Sequence, residues 1–429
     1  MKNLDRSYGV RWWIMSLLFL ATVICYIDRL TVSLLAPVIQ DDLGITNYQY
    51  AKVTTWFLII YSIFQLFAGR MYDKIGTKKA YTMSISIWSI AAVLHMATKG
   101  IVSLSIFRSL LGLGEAGHWP GVTKSVAEWF PAKSRAFAMG IVNAGASVGS
   151  VVAPPLIIAL YLAFGWKWTF LATGSLGFIW VIAWLIIYKS PDKHKWVTPK
   201  ERTIIEGDEI KEVVTEAEEI LLVEKKSYNS KGLWKSRQAW AIIVSRFFGD
   251  PIWWLYLVWL PLYLKNERGF TMEEIGSLAW LPYLFAGIGG LSGGWFSGFL
   301  IKKGLTVNKA RKIAIAVGTL FLPIGLLVIN TDSMILMWIY ICLTLFGFQF
   351  WVNNVQTLPS DIFEKKYVGS VAGMGQSGAG IGSVIFVLST GWVVDNFSYT
   401  PILLVAGILG PLATISLFLI CGKIKKVKL

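Results

Sequence analysis

The stretch "WWIMSLLFLATVICYIDRLTVSLLAPV", Trp12 to Val38, contains only two ionised side chains, Asp28 and Arg29, side by side near its middle. About 20 consecutive apolar residues suffice for a helix to cross the hydrocarbon core of a bilayer. Similar runs fill the chain, whose 429 residues are 55% hydrophobic and include 21 Trp and 24 Phe. In lipid only helices and closed barrels satisfy their own backbone, and these runs are too long for barrel strands. The run after Arg11 also exceeds a signal-peptide core, and no cleavage pattern follows it, so it reads as a retained first helix. The expected fold class is an all-α membrane protein.

Twelve spans can be counted, at roughly 12–38, 49–71, 78–97, 101–125, 134–162, 168–188, 239–264, 274–301, 310–330, 333–358, 368–393 and 400–422. The connections sort by charge. One side carries Lys2, Arg6 and Arg11, then Lys74, Lys78 and Lys79, Lys133 and Arg135, the cluster Lys302 to Lys312, Lys365 and Lys366, and the tail "KIKKVK". The other side holds "QDDLGITN", "NTDS" and "DNFSYT". Basic loops stay in the cytoplasm, so both termini and the long central loop are expected there. The net charge of +15 reports this bias rather than nucleic-acid binding. Residues 1–188 form the expected first six-span unit and 239–429 the second. The loop 189–238 between them ("TPKERTIIEGDEIKEVVTEAEEI") is mixed in charge and predicts an amphipathic surface helix. Cys25, Cys342 and Cys421 all fall in apolar runs and imply no disulfide framework.

The halves repeat. "GIVNAGASVGSVV" from Gly140 is echoed by "GMGQSGAGIGSVI" from Gly373, and "AGRMYDKIGTKKA" from Ala68 by "SGGWFSGFLIKKG" from Ser292. Half-chain repeats with small-residue stripes are a signature of transporter folds whose site lies between the halves.

At "GRMYDKIGTKK" the chain resembles the major facilitator superfamily. The resemblance extends to the anion:cation symporter branch, which includes bacterial hexuronate and other sugar-acid:proton symporters. It is carried by "RWWIMSLLFLATVICYIDRLTVSLLAPVI", "RSLLGLGEAGHWPG", "AEWFPAKSRA", "APPL" and "DPIWWLYLVWLPLYL". It implies two pseudo-symmetric six-helix bundles and a latch at Gly69, Asp73, Gly76 and Lys78 that ties the cytoplasmic ends of the halves. The second copy of that loop has Gly298 where the acid is expected. The resemblance also implies import of a small sugar-acid anion driven by the proton gradient with no cofactor, residence in the inner membrane, and function as a monomer.

The buried charges raise a chemical question. An uncompensated Asp or Arg at a helix centre costs about 2.5–3.5 kcal/mol on insertion scales, so such residues face the bundle interior and are paired. Neighbours in sequence point about 100° apart on a helix, so Asp28 and Arg29 need partners elsewhere. The fourth span offers Arg108 and Glu115, seven residues apart on one face with Gly112 between them. The repeat places Ile341 and Phe348 opposite Arg108 and Glu115, so the architecture does not require these charges.

Roles follow from chemistry. Arg stays protonated when buried, and its planar fork grips a carboxylate bidentately, so Arg29 is the candidate substrate clamp. Desolvation penalises the ionised form of a carboxyl, which suits Glu115 to carry a proton. Asp28 is expected to pair with Arg108, and making and breaking that pair would change when Asp28 takes a proton. The resemblance likewise implies that Asp28 and Glu115 carry protons and that Arg29 holds the substrate carboxylate. Tyr26, Tyr61, Gln65, Asn143, Asn353, Asn354, Gln376 and Ser377 supply polar groups for a polyol, with Trp254 among several tryptophans that could stack on it. His118 follows Glu115 at Glu-x-x-His spacing. Without further His or Cys nearby it predicts no metal site, and a proton-relay role stays open.

Other classes fit less well. A phosphate-ester or other organic-anion exchanger on the same fold remains the alternative, but a dianion calls for a strong cation from each half. The seventh span shows Arg246 near one end and Asp250 as its deep polar group. A receptor would carry a folded signalling domain, which the central loop does not supply. No nucleophile–base constellation marks an enzyme. "GLGEAG" follows no strand, so it is not a nucleotide-binding loop.

Overall fold

The computed structural model describes residues 9–206 and 230–427, and among them every regular element is helical. Eleven helical segments among the described residues are long and apolar enough to cross a membrane. The twelfth pass consists of two shorter helices in series. In chain order the membrane helices are α1 (Val10–Leu34), α2 (Asn47–Ile75), α3 (Thr77–Leu94), α4 (Ile101–Glu115), α5 (His118–Trp129), α6 (Ala132–Phe164), α7 (Trp166–Ile187), α8 (Arg237–Asn266), α9 (Leu281–Lys302), α10 (Val307–Phe321), α11 (Met334–Ile362), α12 (Lys365–Asn396) and α13 (Thr400–Cys421). The three cysteines are buried and free.

The expected single span at 101–125 is therefore corrected to α4 plus α5, with the break at Ala116 and Gly117. Pro120 explains it. Proline has no N–H and its ring clashes with the carbonyl four residues back, here Ala116, so it is tolerated only in the first turn of a new helix. The hydroxyl of Tyr72 donates to the Gly117 carbonyl at 2.9 Å and satisfies the loosened backbone. Glycines let this pass wedge between two others: Gly112 lies against the Phe57 carbonyl of α2, and Gly114 against the Trp88 backbone of α3.

The repeat read from the sequence is a pair of equivalent helix contacts. In the first half α1 packs on α6, with Gly145 and Gly149 against the carbonyls of Phe19 and Val23. In the second half α8 packs on α12, with Gly378 and Gly382 against the carbonyls of Ile243 and Phe247. Counting from these contacts, Arg246 takes the place of Thr22, Asp250 that of Tyr26, and Trp253 that of Arg29.

The halves are joined on the face away from the chain ends. Asp395 at the end of α12 accepts from the Asn47 and Tyr48 backbone N–H groups at 3.0 and 2.8 Å, capping the first turn of α2 across the interface. Lys265 pairs with Asp41 at 2.8 Å, and Ser33 donates to the Leu257 carbonyl. Midway, Gly380 on α12 approaches Ser62 on α2, and Gly287 on α9 approaches Ser147 on α6. One turn beyond these crossings, toward the chain ends, Gln376 and Asn143 are exposed, each one helical turn from a residue that meets the opposite half, and this marks the cleft between the halves on that side.

Part of the central loop packs against the first half. Pro199–Glu206 is helical, and buried Glu201 accepts from the Arg11 backbone N–H at 3.2 Å, at the first turn of α1. The remainder of the expected amphipathic helix lies outside the described residues.

Candidate functional site

Four charged side chains from α1 and α4 come together in the first half: Asp28 (2% exposed), Arg29 (8%), Arg108 (3%) and Glu115 (fully buried). Their pairing differs from the sequence expectation. Arg29, not an open clamp, holds Glu115: its Nε donates to Oε2 at 3.0 Å and its Nη2 donates to the same oxygen. The expected Asp28–Arg108 pair is not formed. Arg108 donates instead to the Arg29 carbonyl at 3.4 Å and lies 4.4 Å from the centre of the Phe57 ring. Both oxygens of Asp28, Nε and Nη1 of Arg108 and Oε1 of Glu115 are buried with no hydrogen-bond partner among the described residues. The reason is directional. Glu115, on the last turn of α4, lies level with the Arg29 side chain, whereas Arg108 lies two turns back and meets the α1 backbone; Gly112 between them holds α4 close to α2 at Phe57 and Tyr61, whose rings flank Arg29.

An aromatic shell surrounds the Arg29 guanidinium. The rings of Tyr26, Tyr61 and Phe57 lie 5.2, 5.4 and 5.6 Å from it. A cation over aromatic faces is held electrostatically yet keeps N–H groups for other acceptors. Gln65, one turn along α2, donates to the Tyr61 hydroxyl at 3.4 Å, so these two predicted residues do meet. Phe57 was not anticipated. Its i, i+4 spacing to Tyr61 on α2 is the signal that could have found it.

His118 opens α5 directly beyond the break. Thr22 donates to the Leu18 carbonyl, so its oxygen accepts from His118 Nε2 at 3.1 Å, and His118 Nδ1 accepts from the Tyr81 hydroxyl at 3.0 Å. Both ring nitrogens have a partner, and the imidazole ties α1, α3 and α5 together.

In the second half Arg246 lies, as read, in the first third of its helix, nine residues into α8 and about 14 Å along the axis, yet it is only 7% exposed. Its Nε and Nη2 grip the two oxygens of Asp250 at 3.0 and 2.6 Å, and its Nη1 donates to Gln376 Oε1 at 2.9 Å. The i, i+4 spacing of an Arg and an Asp inside an apolar run is the sequence signal for this pair.

The other predicted positions divide. Asn143, Gln376 and Ser377 are exposed at the cleft. Asn353 donates to the Gly290 carbonyl at 2.9 Å, and Trp254 is partly buried against the core. Asn354 is buried away from the cleft: its amide donates to the carbonyls of Gly293 and Phe350, and its oxygen accepts from Arg311, which is bound in turn to Asp361 at 2.8 Å and to Ser297. At the latch, Gly76 turns the chain with φ 80°. Asp73 pairs with Lys124 of its own half, and Lys78 donates to the Leu185 carbonyl at 2.7 Å, also within that half.

Comparison with known proteins places this geometry in context. A model of the Major Facilitator Superfamily matches residues 18–376. A hexuronate transporter of Escherichia coli K12 is 31% identical over 403 residues, 93% of this chain and 91% of that protein. A galacturonate transporter of Dickeya chrysanthemi is 33% identical over 73% of this chain and 89% of its own length. A D-galactonate transporter of Escherichia coli O6:H1 is 27% identical over 97% of each. Among solved structures, a bacterial homologue of the human lysosomal transporter Spinster, inward-facing and occupied, superposes with a TM-score of 0.72 at 15% identity, covering 95% of this chain and 96% of that one. A D-xylose–proton symporter gives 0.72 at 14% identity, covering 96% and 98%. These two likenesses concern the fold.

Proposed function

This chain belongs to the Major Facilitator Superfamily and is a multi-pass membrane transporter rather than an enzyme, and on that basis we propose that it imports a sugar monoacid, a hexuronate or an aldonate, together with protons. The observation that carries the reading is the Arg29 guanidinium, held by Glu115 and ringed by Tyr26, Tyr61 and Phe57. A substrate carboxylate and the Glu115 carboxylate compete for the same N–H groups. Protonating Glu115 releases the guanidinium, so an incoming anion replaces an internal one without leaving an uncompensated buried charge. Binding of the acid is thereby linked to uptake of a proton. Asp28, buried beside these groups without a hydrogen-bond partner among the described residues, is the second proton carrier, and Arg108 tunes it by charge. The exposed polar groups of Asn143, Gln376 and Ser377 receive the polyol.

With the basic connections in the cytoplasm of a bacterial inner membrane, the cleft is open to the cytoplasm in this state. Rocking of the halves about the site, in a single chain and without a cofactor, completes the cycle. The relatives that transport hexuronate, galacturonate and D-galactonate support the substrate class. Exchange of phosphate esters on the same fold is less favoured, because the second-half cation Arg246 is already neutralised by Asp250.

The test is uptake into proteoliposomes of labelled galacturonate, glucuronate, galactonate and gluconate, with and without an inwardly directed proton gradient. At least one acid is expected to accumulate above its external concentration only with the gradient, accompanied by alkalinisation of the medium. Equilibration to the same level with and without the gradient would overturn the coupling. Failure of all four acids to enter would overturn the substrate class.

A further inference from the structure

We infer that Arg246, Asp250 and Gln376 form a subsite in the second half that binds the oxygen at the end of the substrate remote from its carboxylate; this rests on the sugar-acid reading above. Three observations converge. First, the trio lies within two membrane-spanning helices although the fold does not require its charges: the equivalent positions of the first half are Thr22, Tyr26 and Asn143, all uncharged. Replacing a buried ion pair with apolar side chains is often neutral or stabilising, so stability alone does not call for one here.

Second, the bonding fixes an orientation. Asp250 occupies Nε and Nη2 of Arg246, which leaves Nη1 directed at Gln376. A guanidinium can only donate, so the Gln376 oxygen must be the atom that faces it. The amide nitrogen then points the other way and offers N–H donors. An unanchored glutamine could present either end, but this one is held to the donor end.

Third, those donors face the cleft. On α12 the glycines at 375, 378 and 382 pack against α8, while Gln376 is exposed and lies one turn from Gly380, which meets Ser62 of the opposite half. Arg29 stands in the first half and Gln376 in the second. A chain-like acid lying across the cleft, with its carboxylate on Arg29, therefore presents its far end to Gln376. The group recognised is an acceptor: the terminal hydroxyl oxygen of an aldonate, or the ring or anomeric oxygen of a uronate. Gln376 is a binding residue, and Arg246 and Asp250 are positioning residues that act through it.

The experiment compares D-galactonate with 6-deoxy-D-galactonate, and D-galacturonate with its 1-deoxy analogue, by equilibrium binding to the purified full-length protein. One well-placed hydrogen bond gives the parent a preference of about five- to tenfold over its deoxy analogue. Gln376→Leu should bring that ratio to about one. Gln376→Glu should do the same, because a carboxylate still accepts from Arg246 but has no N–H for the cleft. Arg246→Met could unfold the protein by stranding Asp250, so the paired change Arg246→Met/Asp250→Leu is made beside it. That variant frees Gln376 to flip and should lower the ratio to between one and three. A merely structural role would weaken parent and deoxy analogue alike and keep the ratio, which would overturn the subsite. A preserved ratio in Gln376→Glu would overturn the orientation and with it the positioning roles. If neither parent binds the unmodified protein, the sugar-acid reading falls and the subsite with it. If the parents bind but show no preference over their analogues, the subsite alone falls.

Discussion

Arg29 and Arg246 sit in opposite halves of the molecule, and their counter-ions hold them in different ways. Arg246 is closed off: its partner Asp250 lies one turn away on the same helix, and both carboxylate oxygens are used. Arg311, in the same half, is likewise shared among Asp361, Ser297 and Asn354. Arg29 is bound to an acid from another helix, through one oxygen only, and the other two charged groups around it, Asp28 and Arg108, lack complete bonding among the described residues. In a low-dielectric interior a satisfied network rigidifies, whereas an incompletely satisfied one stays costly until charge or proton rearranges. On this reading the first half performs the charge exchange of the cycle, and the second half supplies a fixed surface against which the substrate is measured.

The largest effect should come from the first-half charges. Arg29→Ala should reduce substrate binding by at least about a hundredfold, since a buried charge-assisted bidentate contact is lost and Glu115 is left buried without its cation. Arg29→Lys should weaken binding by about tenfold, because an ammonium cannot reproduce the planar fork. Competition binding with the acid and with its neutral reduced alcohol checks both, and the alcohol should not compete in any variant. Near-parental affinity in Arg29→Ala would erase the contrast between the halves.

Next in size is coupling. Glu115→Gln fixes this position in its uncharged form, so the return of the empty carrier no longer depends on releasing that proton. Gradient-driven accumulation should fall to the equilibration level, while counterflow of internal for external substrate persists. Asp28→Asn should impair both, because it removes the acid whose charge offsets Arg108 in a buried site. Both assays belong in the same vesicle preparation. Uphill uptake by Glu115→Gln at the parental rate would move coupling away from α4.

A smaller effect, and on a different quantity, is expected in the second half. Arg311→Met strands Asp361, which is 18% exposed, so the loss in unfolding free energy should be about 2 kcal/mol, below the range for a fully buried pair. Substrate affinity should change by less than about twofold. A thermal unfolding scan with and without ligand separates the two readings. A large loss of affinity at unchanged stability would make this cluster part of the site.

These differences mark what the sequence could and could not disclose. The twelve passes were legible because apolar length is a local property, and the broken fourth pass was missed because its apolar run continues through the break, although Pro120 was the signal for it. The convergence of Asp28, Arg29, Arg108 and Glu115 was legible from their rarity in apolar helices. Their pairing was not, because it depends on how far α4 is slid and rotated by its glycine contacts with α2 and α3, which sequence spacing does not give. Arg246 was legible as lying toward one end of its span, but its burial and its bonds to Asp250 and Gln376 were not, because they come from packing against α12. Asn354 was placed at the site from its residue type alone, but its amide faces backbone carbonyls of neighbouring helices.

The smallest static effect should come from the loop after α2, and it tests whether the halves also differ in how they are latched. Asp73 is 71% exposed and paired with Lys124 of its own half. Exposed pairs contribute between zero and about 1 kcal/mol, so Asp73→Asn should leave the unfolding temperature within about a degree or two and substrate affinity unchanged. The sequence predicts a latch between the halves, and in this state Asp73 bonds within its half while the bridging bonds cluster on the opposite face. A latch that engages only when the cleft closes should be silent in binding and visible in turnover. The maximal uptake rate of Asp73→Asn should therefore fall several-fold with no change in the half-saturating substrate concentration. Gly298, at the corresponding place in the second half, has no charge to lose, and Gly298→Ala meets open space, so it should leave the rate unaltered. Equal rates for Asp73→Asn and the parent at every substrate concentration would remove the latch and leave the two halves distinguished by their buried charges alone.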